Sequence, residues 1–256
     1  MDFTGEFSIT TFLIFIGVGF LAQMIDGALG MAYGVSSNTF LLSVGVPPAL
    51  ASACVHIAEV ITTGISGITH WRLGNVDKDT FKKLIIPGVL GGVLGAYLLT
   101  NIDGNIIKPY VSMYLIIMGF VILWKALRAT TKEGKPISWI APLGLVGGFC
   151  DAIGGGGWGP VVTTTLVAQG KHPRFSIGSV NSSEFFVTFA ESLTFLFTLG
   201  GLFKSWPIFM GLLIGGAIAA PMAAYITKKL PVRLLMGLVG VLIIGLSVRT
   251  LILIYK

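Results

Sequence analysis

Charged residues are scarce in this sequence. Asp, Glu, Lys and Arg together make up 11% of its 256 residues, whereas soluble domains carry about 25%. Hydrophobic residues account for 54%, and the mean hydropathy is +0.89. A soluble domain of this length needs more charges to cover its surface, so we predict an all-α integral membrane protein.

Cysteines and catalytic motifs are also nearly absent. The two cysteines, Cys54 and Cys150, lie inside apolar stretches, which is typical of buried thiols rather than of a disulfide framework. The sequence contains no Walker loop, no Cys/His metal cluster and no nucleophile elbow. We therefore expect no enzyme, no cofactor and no bound metal, and uphill transport would have to use an ion gradient or a separate subunit.

Long apolar segments are the main feature that is present. A helix needs about 20 residues to cross a hydrocarbon core about 30 Å thick. Six segments have this length, namely residues 47–70, 81–101, 106–127, 174–199, 206–227 and 231–254. Residues 137–150 and 158–169 are too short to cross and suggest re-entrant helices, while residues 9–25 fit either description.

The two halves of the chain are related in sequence. A shift of 125 residues gives eleven identities over 45 positions without gaps, where composition predicts about three or four. They include Asp26 with Asp151 and Glu59 with Glu184. We predict a first repeat over residues 1–128, a cytoplasmic linker over 129–136 and a second repeat over 137–256. Each repeat would contain a Gly-broken pair of re-entrant or short helices and then three transmembrane helices.

The placement of basic residues predicts opposite orientations for the two repeats. With the N-terminus outside, thirteen of the 17 Lys and Arg residues fall on the inside, and only Lys108, Lys204, Arg249 and Lys256 fall outside. Cytoplasmic loops are rich in Lys and Arg, which explains the net charge of +6 without nucleic acid as a partner. Three crossings per repeat is an odd number, so we predict inverted repeats.

Acidic residues occur inside the apolar segments, namely Asp26, Glu59, Asp151, Glu184 and Glu191. A charge at membrane depth costs roughly 2.5–3.5 kcal/mol, and no Lys or Arg lies there to neutralise it. His56 lies one helical turn before Glu59 and shares its helix face. We predict that these six residues couple transport to protons. The structural alternative is that they cap broken helices or bond freed backbone groups.

The run Gly154–Gly157 predicts an anion site. Glycine permits left-handed backbone, which lets N–H groups converge on an anion, and Pro160 suits the first turn of a following helix. The predicted substrate-binding residues are Gly30, Gly34, Asn38, Gly154, Gly155, Gly156, Gly157, Trp158 and Asn181. The alternative is that the glycines only permit close helix packing.

Two motifs carry a resemblance to a known family. The break Asp151–Pro160, with the sequence DAIGGGGWGP, and its counterpart Ala22–Gly34 resemble the TauE/SafE sulfite-exporter family over nearly the whole chain. The resemblance implies a multi-pass permease of the cell inner (plasma) membrane. It also implies sulfur-containing anions as substrates, such as sulfite, sulfonates and sulfoacetate. The first repeat departs from the pattern because its glycine cluster is thinned, which leaves the substrate open.

The predicted function is therefore a secondary permease for a small sulfur-containing anion, coupled to protons. Its partners would be the anion, protons and the lipid bilayer, and a homo-oligomer is compatible with the sequence. Buried acids without buried bases favour an alternative, a cation or metal permease that uses the acids and His56 as ligands. A reading from another class is a non-transporting membrane subunit of a larger assembly.

Overall fold

The structure is a computed structural model that describes residues 8–29, 31–127, 139–226 and 232–256. Within these ranges the chain forms ten α-helices and no strand. The helices are α1 (Ile9–Leu29), α2 (Tyr33–Ser43), α3 (Pro48–Arg72), α4 (Lys78–Asn101), α5 (Gly104–Leu127), α6 (Ile140–Gly154), α7 (Thr164–Ala168), α8 (Pro173–Thr198), α9 (Trp206–Ile226) and α10 (Val232–Ile254). A π-helical turn, Gly159–Thr163, leads directly into α7, and a 3-10 turn, Leu202–Ser205, precedes α9.

The helix boundaries repeat along the chain. Helices α1 and α6 end 125 residues apart, and α3 and α8 begin 125 residues apart, at Pro48 and Pro173. Proline suits the first helical turn because the N–H that it lacks would have no partner there. Gly45 and Gly170, with φ of +99° and +84°, follow α2 and α7, since glycine adopts this backbone without strain. Residues shared by the two repeats thus define where the helices stop and start.

The protein is an integral membrane protein, and its described residues form six helices that are long and apolar enough to cross a membrane. These are α1, α3, α4, α5, α9 and α10. Five of the predicted crossings fall on them, and the sixth, residues 174–199, is α8. Helix α8 has 26 residues but is more polar, since it contains Glu184 and Glu191. Helix α6 and residues 159–168 are short, as predicted, whereas α1 has the length of a full crossing.

Corresponding helices of the two repeats pack against each other. Helix α3 crosses α8, and a side chain at Gly64 would contact Phe185 while one at Gly67 would contact Ser182. The two helices therefore run antiparallel. Helix α5 likewise packs on α10, its counterpart in the second repeat. Antiparallel packing of equivalent helices is compatible with inverted repeats, which stay a prediction.

Two further pairs of helices, each with one helix from either repeat, also pack against each other. Helix α1 packs along α9, and α4, the counterpart of α9, packs along α6, the counterpart of α1. Glycines permit the close approach: a Cβ at Gly19 would lie 2.6 Å from the Leu212 Cα, and one at Gly148 would lie 2.9 Å from the Gly92 nitrogen. This pairing supports a two-fold relation. The orientation in the bilayer stays a prediction, and the linker 129–136 lies outside the described residues.

Candidate functional site

The breaks between the short helices of the two repeats meet at the centre of the molecule. A Cβ at Gly34 would lie 2.7 Å from the Gly155 carbonyl oxygen and 2.7 Å from the Gly156 Cα. Gly155 and Gly156 have φ of +62° and +144°, and Ala32 has φ of +91°. These are left-handed values that ordinary side chains resist. The breaks therefore combine special backbone with close packing.

The glycines of the second break exclude side chains for two reasons. Gly155 and Gly156 need positive φ, whereas Gly154 and Gly157 pack against the ring of Tyr114. A side chain at Gly155 would also enter the space of Asn38. Close packing, the alternative reading of the run, thus accounts for two of the four glycines.

The backbone N–H groups of this break donate hydrogen bonds to Asp151. The N–H groups of Gly155 and Gly156 both bond to the Asp151 carbonyl oxygen. Those of Gly157 and Trp158 bond to its Oδ1 at 2.6 and 2.8 Å. In this structure the protein's own carboxylate fills the nest that we predicted for a substrate anion. Asp151 thus caps the helix that starts after the break.

Side chains from other helices satisfy the carbonyl groups that are freed at the end of α6. Asn38 Nδ2 donates to the Gly154 carbonyl at 2.5 Å, and Ser52 Oγ donates to the Ala152 carbonyl at 2.5 Å. The Tyr114 hydroxyl donates to the Gly156 carbonyl at 3.3 Å. Broken helices are tolerated in membranes only when neighbouring groups satisfy the freed backbone in this way.

A small cavity lies where the two breaks meet. Its volume is about 10 Å³, roughly the space of one water molecule. Four carboxyl side chains line it, together with backbone of both breaks; the lining residues are Asp26, Ala32, Tyr33, Gly34, Val35, Glu59, Asp151, Gly156, Gly157, Gly159, Pro160 and Glu184. None of them is Lys, Arg or His, so the cavity is strongly acidic whenever its carboxyls are ionised.

A larger polar cavity, here called the vestibule, adjoins the small one. Its volume is about 310 Å³, and its lining residues are Gln23, Asp26, Thr62, Thr63, Ser66, His70, Ile177, Asn181 and Glu184. Asp26 and Glu184 line both cavities. His70 belongs to the last turn of α3, so the vestibule extends from that end of the molecule to the two acids.

Polar contacts tie together the loops at this end, which the charge distribution predicts to be cytoplasmic. Lys171 Nζ donates to Asp77 Oδ2 at 2.9 Å, and Arg174 Nη2 donates to the Leu73 carbonyl at 3.0 Å. Partial burial alone would raise the pKa of Asp77, but hydrogen bonds from Thr80 and Lys171 outweigh it and lower that pKa. The pairs join the α3–α4 loop to the α7–α8 loop.

A sealed cluster, here called the His56 cluster, consists of His56, Glu59, Asp151 and Glu191. His56 Nδ1 lies 3.2 Å from Glu59 Oε2 and 3.3 Å from Glu191 Oε2. Its Nε2 lies 3.2 Å from the Asp151 carbonyl oxygen, and the Phe195 ring stacks on the imidazole with centroids 6.1 Å apart. All four polar side chains are buried. The cluster joins α3, α6 and α8.

The sequence comparisons identify the family. Residues 15–250 match the family Sulfite exporter TauE/SafE. The chain belongs to this family. A relative from Bacillus subtilis (strain 168), named "Probable membrane transporter protein YtnM", is 44% identical over 247 residues, which cover 94% of this chain and 82% of the relative. No solved structure matches the chain. The protein is therefore a membrane transporter, and its family points away from an enzyme.

The structure of this TauE/SafE transporter brings most of the predicted site residues together. Asp26, Glu59, Asp151, Glu184, Gly34, Gly156 and Gly157 line the small cavity. Asn181 lines the vestibule, and its Nδ2 donates to Ser66 Oγ at 3.1 Å. His56 and Glu191 belong to the His56 cluster instead. Gly30 lies outside the described residues.

Four other predicted substrate-binding residues line neither cavity, namely Asn38, Gly154, Gly155 and Trp158. Asn38 and the two glycines take part in the backbone packing described above. The fully buried Trp158 ring packs against Gly88 and Gly147. Its Nε1 donates to the Val180 carbonyl at 3.1 Å. Trp158 thus contributes its backbone N–H to the cap by Asp151, and its ring fills the core.

Sequence analysis missed several residues that line the site, namely Gln23, Tyr33, Thr62, Thr63, Ser66 and His70. A usable signal existed for two of them. Gln23 lies three residues before Asp26 and so shares its helix face, and Ser66 occupies the position equivalent to Glu191. Tyr33 had no such signal, because its roles come from tertiary contacts: its hydroxyl donates to the Leu212 carbonyl at 3.1 Å, and its N–H donates to Asp26 at 3.4 Å.

Proposed function

We propose that this transporter is a secondary permease that moves a small sulfur-containing anion, such as sulfite, a sulfonate or sulfoacetate, together with protons. One observation carries the proposal: two carboxyl groups, Asp26 and Glu184, form the inner end of a polar vestibule, and none of the described residues that line it is Lys or Arg. Family membership supports transport and suggests the anion.

Electrostatics link the anion to protons at this place. Two like unit charges about 4 Å apart repel by about 4 kcal/mol at the effective dielectric constant of a protein surface. An anion in the vestibule therefore binds well only when Asp26 and Glu184 are protonated. A protonated carboxyl also donates a hydrogen bond, so it turns from a repelling group into a ligand. Binding of the anion and binding of protons then occur together.

Neutral donors around the vestibule suit an oxyanion. The side chains of Gln23, Ser66, His70 and Asn181 all line it and offer N–H or O–H groups. Such groups orient a sulfonate or sulfite without fixing a permanent positive charge, which would hold the anion too tightly for release. Glu59 and Asp151 face Asp26 and Glu184 across the small cavity. They add to the negative potential that protons must offset.

The relation between the two repeats suggests how the site changes sides. The vestibule lies between helices whose counterparts pack tightly around the His56 cluster. If the helices around the vestibule adopted the packing seen around the His56 cluster, and the helices around that cluster adopted the vestibule packing, the vestibule would close. An equivalent space would then open at the opposite end. Rocking of one repeat against the other around a fixed central site is common in transporters with inverted repeats.

Equilibrium binding at several pH values tests the proposal. Methanesulfonate is a suitable ligand because its charge is constant between mildly acidic and mildly basic pH. Wild-type affinity should fall with rising pH by about tenfold per pH unit for each coupled proton. Glu184→Gln resembles the protonated acid, so it should bind methanesulfonate with a flatter pH dependence. Asp79→Asn, a change at an exposed acid on α4, should behave like wild type. Affinity that is independent of pH in the wild type would overturn the proposal.

A cation permease is the second candidate, and the four carboxyls around the small cavity favour it. The same variants separate the two functions because the expected signs are opposite. If the cargo is a cation, Glu184→Gln and Asp26→Asn remove ligands and weaken cation binding. If the cargo is an anion, both changes preserve or strengthen anion binding at high pH.

A further inference from the structure

The His56 cluster contains a histidine whose protonation is fixed on one side of the ring. Nε2 lies 3.2 Å from the Asp151 carbonyl oxygen, which can only accept a hydrogen bond. Nε2 therefore carries a hydrogen. Nδ1 points the other way, towards the Oε2 atoms of Glu59 and Glu191. Histidines that bind metals characteristically donate their second ring N–H to a carbonyl or carboxylate in this manner.

Polar atoms without partners are concentrated in this cluster. His56 Nδ1, Glu59 Oε2, Asp151 Oδ2 and both carboxylate oxygens of Glu191 are buried and make no hydrogen bond within the described residues. The side chains of His56 and Glu191 are 0% exposed, and that of Glu59 is 7% exposed. Buried polar atoms nearly always have partners, and two of these, the Oε2 atoms of Glu59 and Glu191, lie 3.2 and 3.3 Å from His56 Nδ1. Two carboxylates around one ring nitrogen need a positive charge between them, which either a proton on Nδ1 or a metal ion would supply.

The spacing of the atoms fits a metal ion better than a shared hydrogen bond. Charge-assisted N–H to carboxylate bonds are about 2.7–2.9 Å long. The two contacts of Nδ1 are longer, at 3.2 and 3.3 Å. Metal bonds of about 2.0–2.2 Å place the ligand atoms of a tetrahedral site about 3.3–3.6 Å apart. Ligand atoms of His56, Asp151 and Glu191 also lie within 4.8 Å of one another.

We propose that the His56 cluster binds one divalent transition-metal ion, with His56 Nδ1 and the carboxylates of Glu59 and Glu191 as ligands. Asp151 is a further ligand, since one of its ligand atoms lies within 4.8 Å of those of His56 and Glu191. A nitrogen with carboxylate oxygens is a ligand set suited to zinc and similar ions. The ion would offset two of the three negative charges that these acids bring into the membrane.

The proposed ion is a resident of the sealed side and not the cargo. His56 and Glu191 line neither the vestibule nor the small cavity, whereas Glu59 and Asp151 reach the wall of the small cavity, which has room for about one water molecule. The ligands come from α3 and α8, with Asp151 at the end of α6, so the ion would hold equivalent helices of the two repeats together. This role does not rest on the proposed anion transport, because it depends only on the closed packing around His56 in this structure.

The test measures metal binding by the full-length purified protein in detergent. After treatment with a chelator, the protein is titrated with Zn²⁺, and with Co²⁺ for its visible absorption. We expect one saturable site per chain, a Co²⁺ spectrum with nitrogen and oxygen ligands, and a rise in Tm on Zn²⁺ binding. Glu191→Gln and His56→Asn should weaken binding by about 100-fold or more. His56→Asn introduces the residue found at the equivalent position 181, which favours correct folding.

Two controls make the result decisive. Asp79→Asn, which alters an exposed acid, should leave Zn²⁺ affinity unchanged. Glu184→Gln changes the vestibule and should also leave it unchanged, since Glu184 is not a ligand. Loss of Zn²⁺ binding in Glu184→Gln would assign the metal to the transport path and overturn the resident site. Absence of saturable Zn²⁺ or Co²⁺ binding by the wild type would overturn it as well and would leave a shared proton in the cluster. Neither outcome depends on whether methanesulfonate binds.

Discussion

Two regions of this transporter are equivalent in sequence, since a shift of 125 residues relates them. One encloses a cavity, whereas the other is closely packed. One is the vestibule around Asn181 and Ser66, a polar space of about 310 Å³. The other is the sealed region around His56 and Glu191, which occupy the equivalent positions. The same crossing of α3 and α8 builds both, since Asn181 contacts Ser66 at 3.1 Å and His56 contacts Glu191 at 3.3 Å.

The equivalent acids differ in burial accordingly. Asp26 and Glu184 are half-buried and reach the vestibule. Their counterparts Asp151 and Glu59 are 1% and 5% exposed. The same helix arrangement therefore surrounds the equivalent acids in two different ways, and the difference comes from the neighbouring side chains. An amide and a hydroxyl leave space, whereas an imidazole and a glutamate, covered by Phe195, fill it. Among the described residues, the polar space next to the paired acids therefore reaches the end of the molecule where His70 lies.

The largest expected effect comes from a side chain at Gly156, which would separate the two breaks on which both regions depend. A Cβ there would lie 2.6 Å from the Gly34 Cα, and the residue has φ of +144°. Strain and overpacking of about 1–3 kcal/mol each are expected, so Gly156→Val should lose thermal stability and monodispersity in detergent. Gly17→Ala is the control, because no atom lies within 4 Å of its added Cβ. Equal stability of the two variants would show that the breaks do not pack as described.

The next largest effect is expected when residues of the sealed region are replaced by the equivalent residues of the vestibule. The double change His56→Asn and Glu191→Ser copies Asn181 and Ser66, removes the buried acid and creates space. We expect the sealed end to open more often. A Cys reporter at Thr188 should then react faster with a membrane-impermeant maleimide, in a background without Cys54 and Cys150. The reverse pair, Ser66→Glu with Asn181→His, should protect a reporter at Thr63. An unchanged alkylation rate of Thr188→Cys after the double change would show that the packing of the sealed region does not decide which end of the molecule is open.

A smaller effect is expected from the reporters alone. Thr63 and Thr188 are equivalent, and their hydroxyls donate to the carbonyls of Glu59 and Glu184 at 2.7 and 2.9 Å. Only Thr63 lines the vestibule. Thr63→Cys should therefore be alkylated about tenfold faster or more than Thr188→Cys, since thiol reactivity follows access. Equal rates would mean that the two ends are equally open.

The smallest effect concerns the polar tie at the open end. Asp77 pairs with Lys171, whereas the equivalent residues Val46 and Leu202 are apolar and buried. The pair is partly exposed, so solvent screening limits it, and Asp77→Asn should cost about 1 kcal/mol or less. The lowered pKa of Asp77 adds stability above the pKa of the unfolded state, and this is lost as the pH falls through the folded value. Thermal unfolding of wild type and Asp77→Asn should therefore converge at low pH, whereas a constant difference would contradict this role.

The sequence repeat predicts much of the fold because its identities fall where helices begin, end or break. Pro48 and Pro173 start α3 and α8, and the matched acids Asp26 and Asp151 precede the two breaks. A residue that serves the backbone plan is needed in both repeats, so it appears twice. The meeting of the acids in one cavity follows from the same plan.

The unequal use of equivalent residues could not be read from the sequence. Asp151 bonds to N–H groups six and seven residues ahead because the chain turns back at Gly155 and Gly156. Within the described part of the first break, Asp26 accepts from one such N–H group, that of Tyr33, at 3.4 Å. Likewise, Ser66 and Glu191 become partners of Asn181 and His56 only through the crossing of α3 and α8. These contacts depend on tertiary packing and leave no local pattern.

Simultaneous measurement of anion and proton flux tests the proposed coupling between anion and proton movement. Proteoliposomes that contain the transporter and an internal pH dye would be given labelled methanesulfonate, with and without a pH gradient. If transport is coupled, anion and protons should move in a fixed ratio, and an imposed pH gradient should drive anion accumulation. Glu184→Gln should lose accumulation while it still exchanges anion. Anion movement with no proton flux in the wild type would contradict the account.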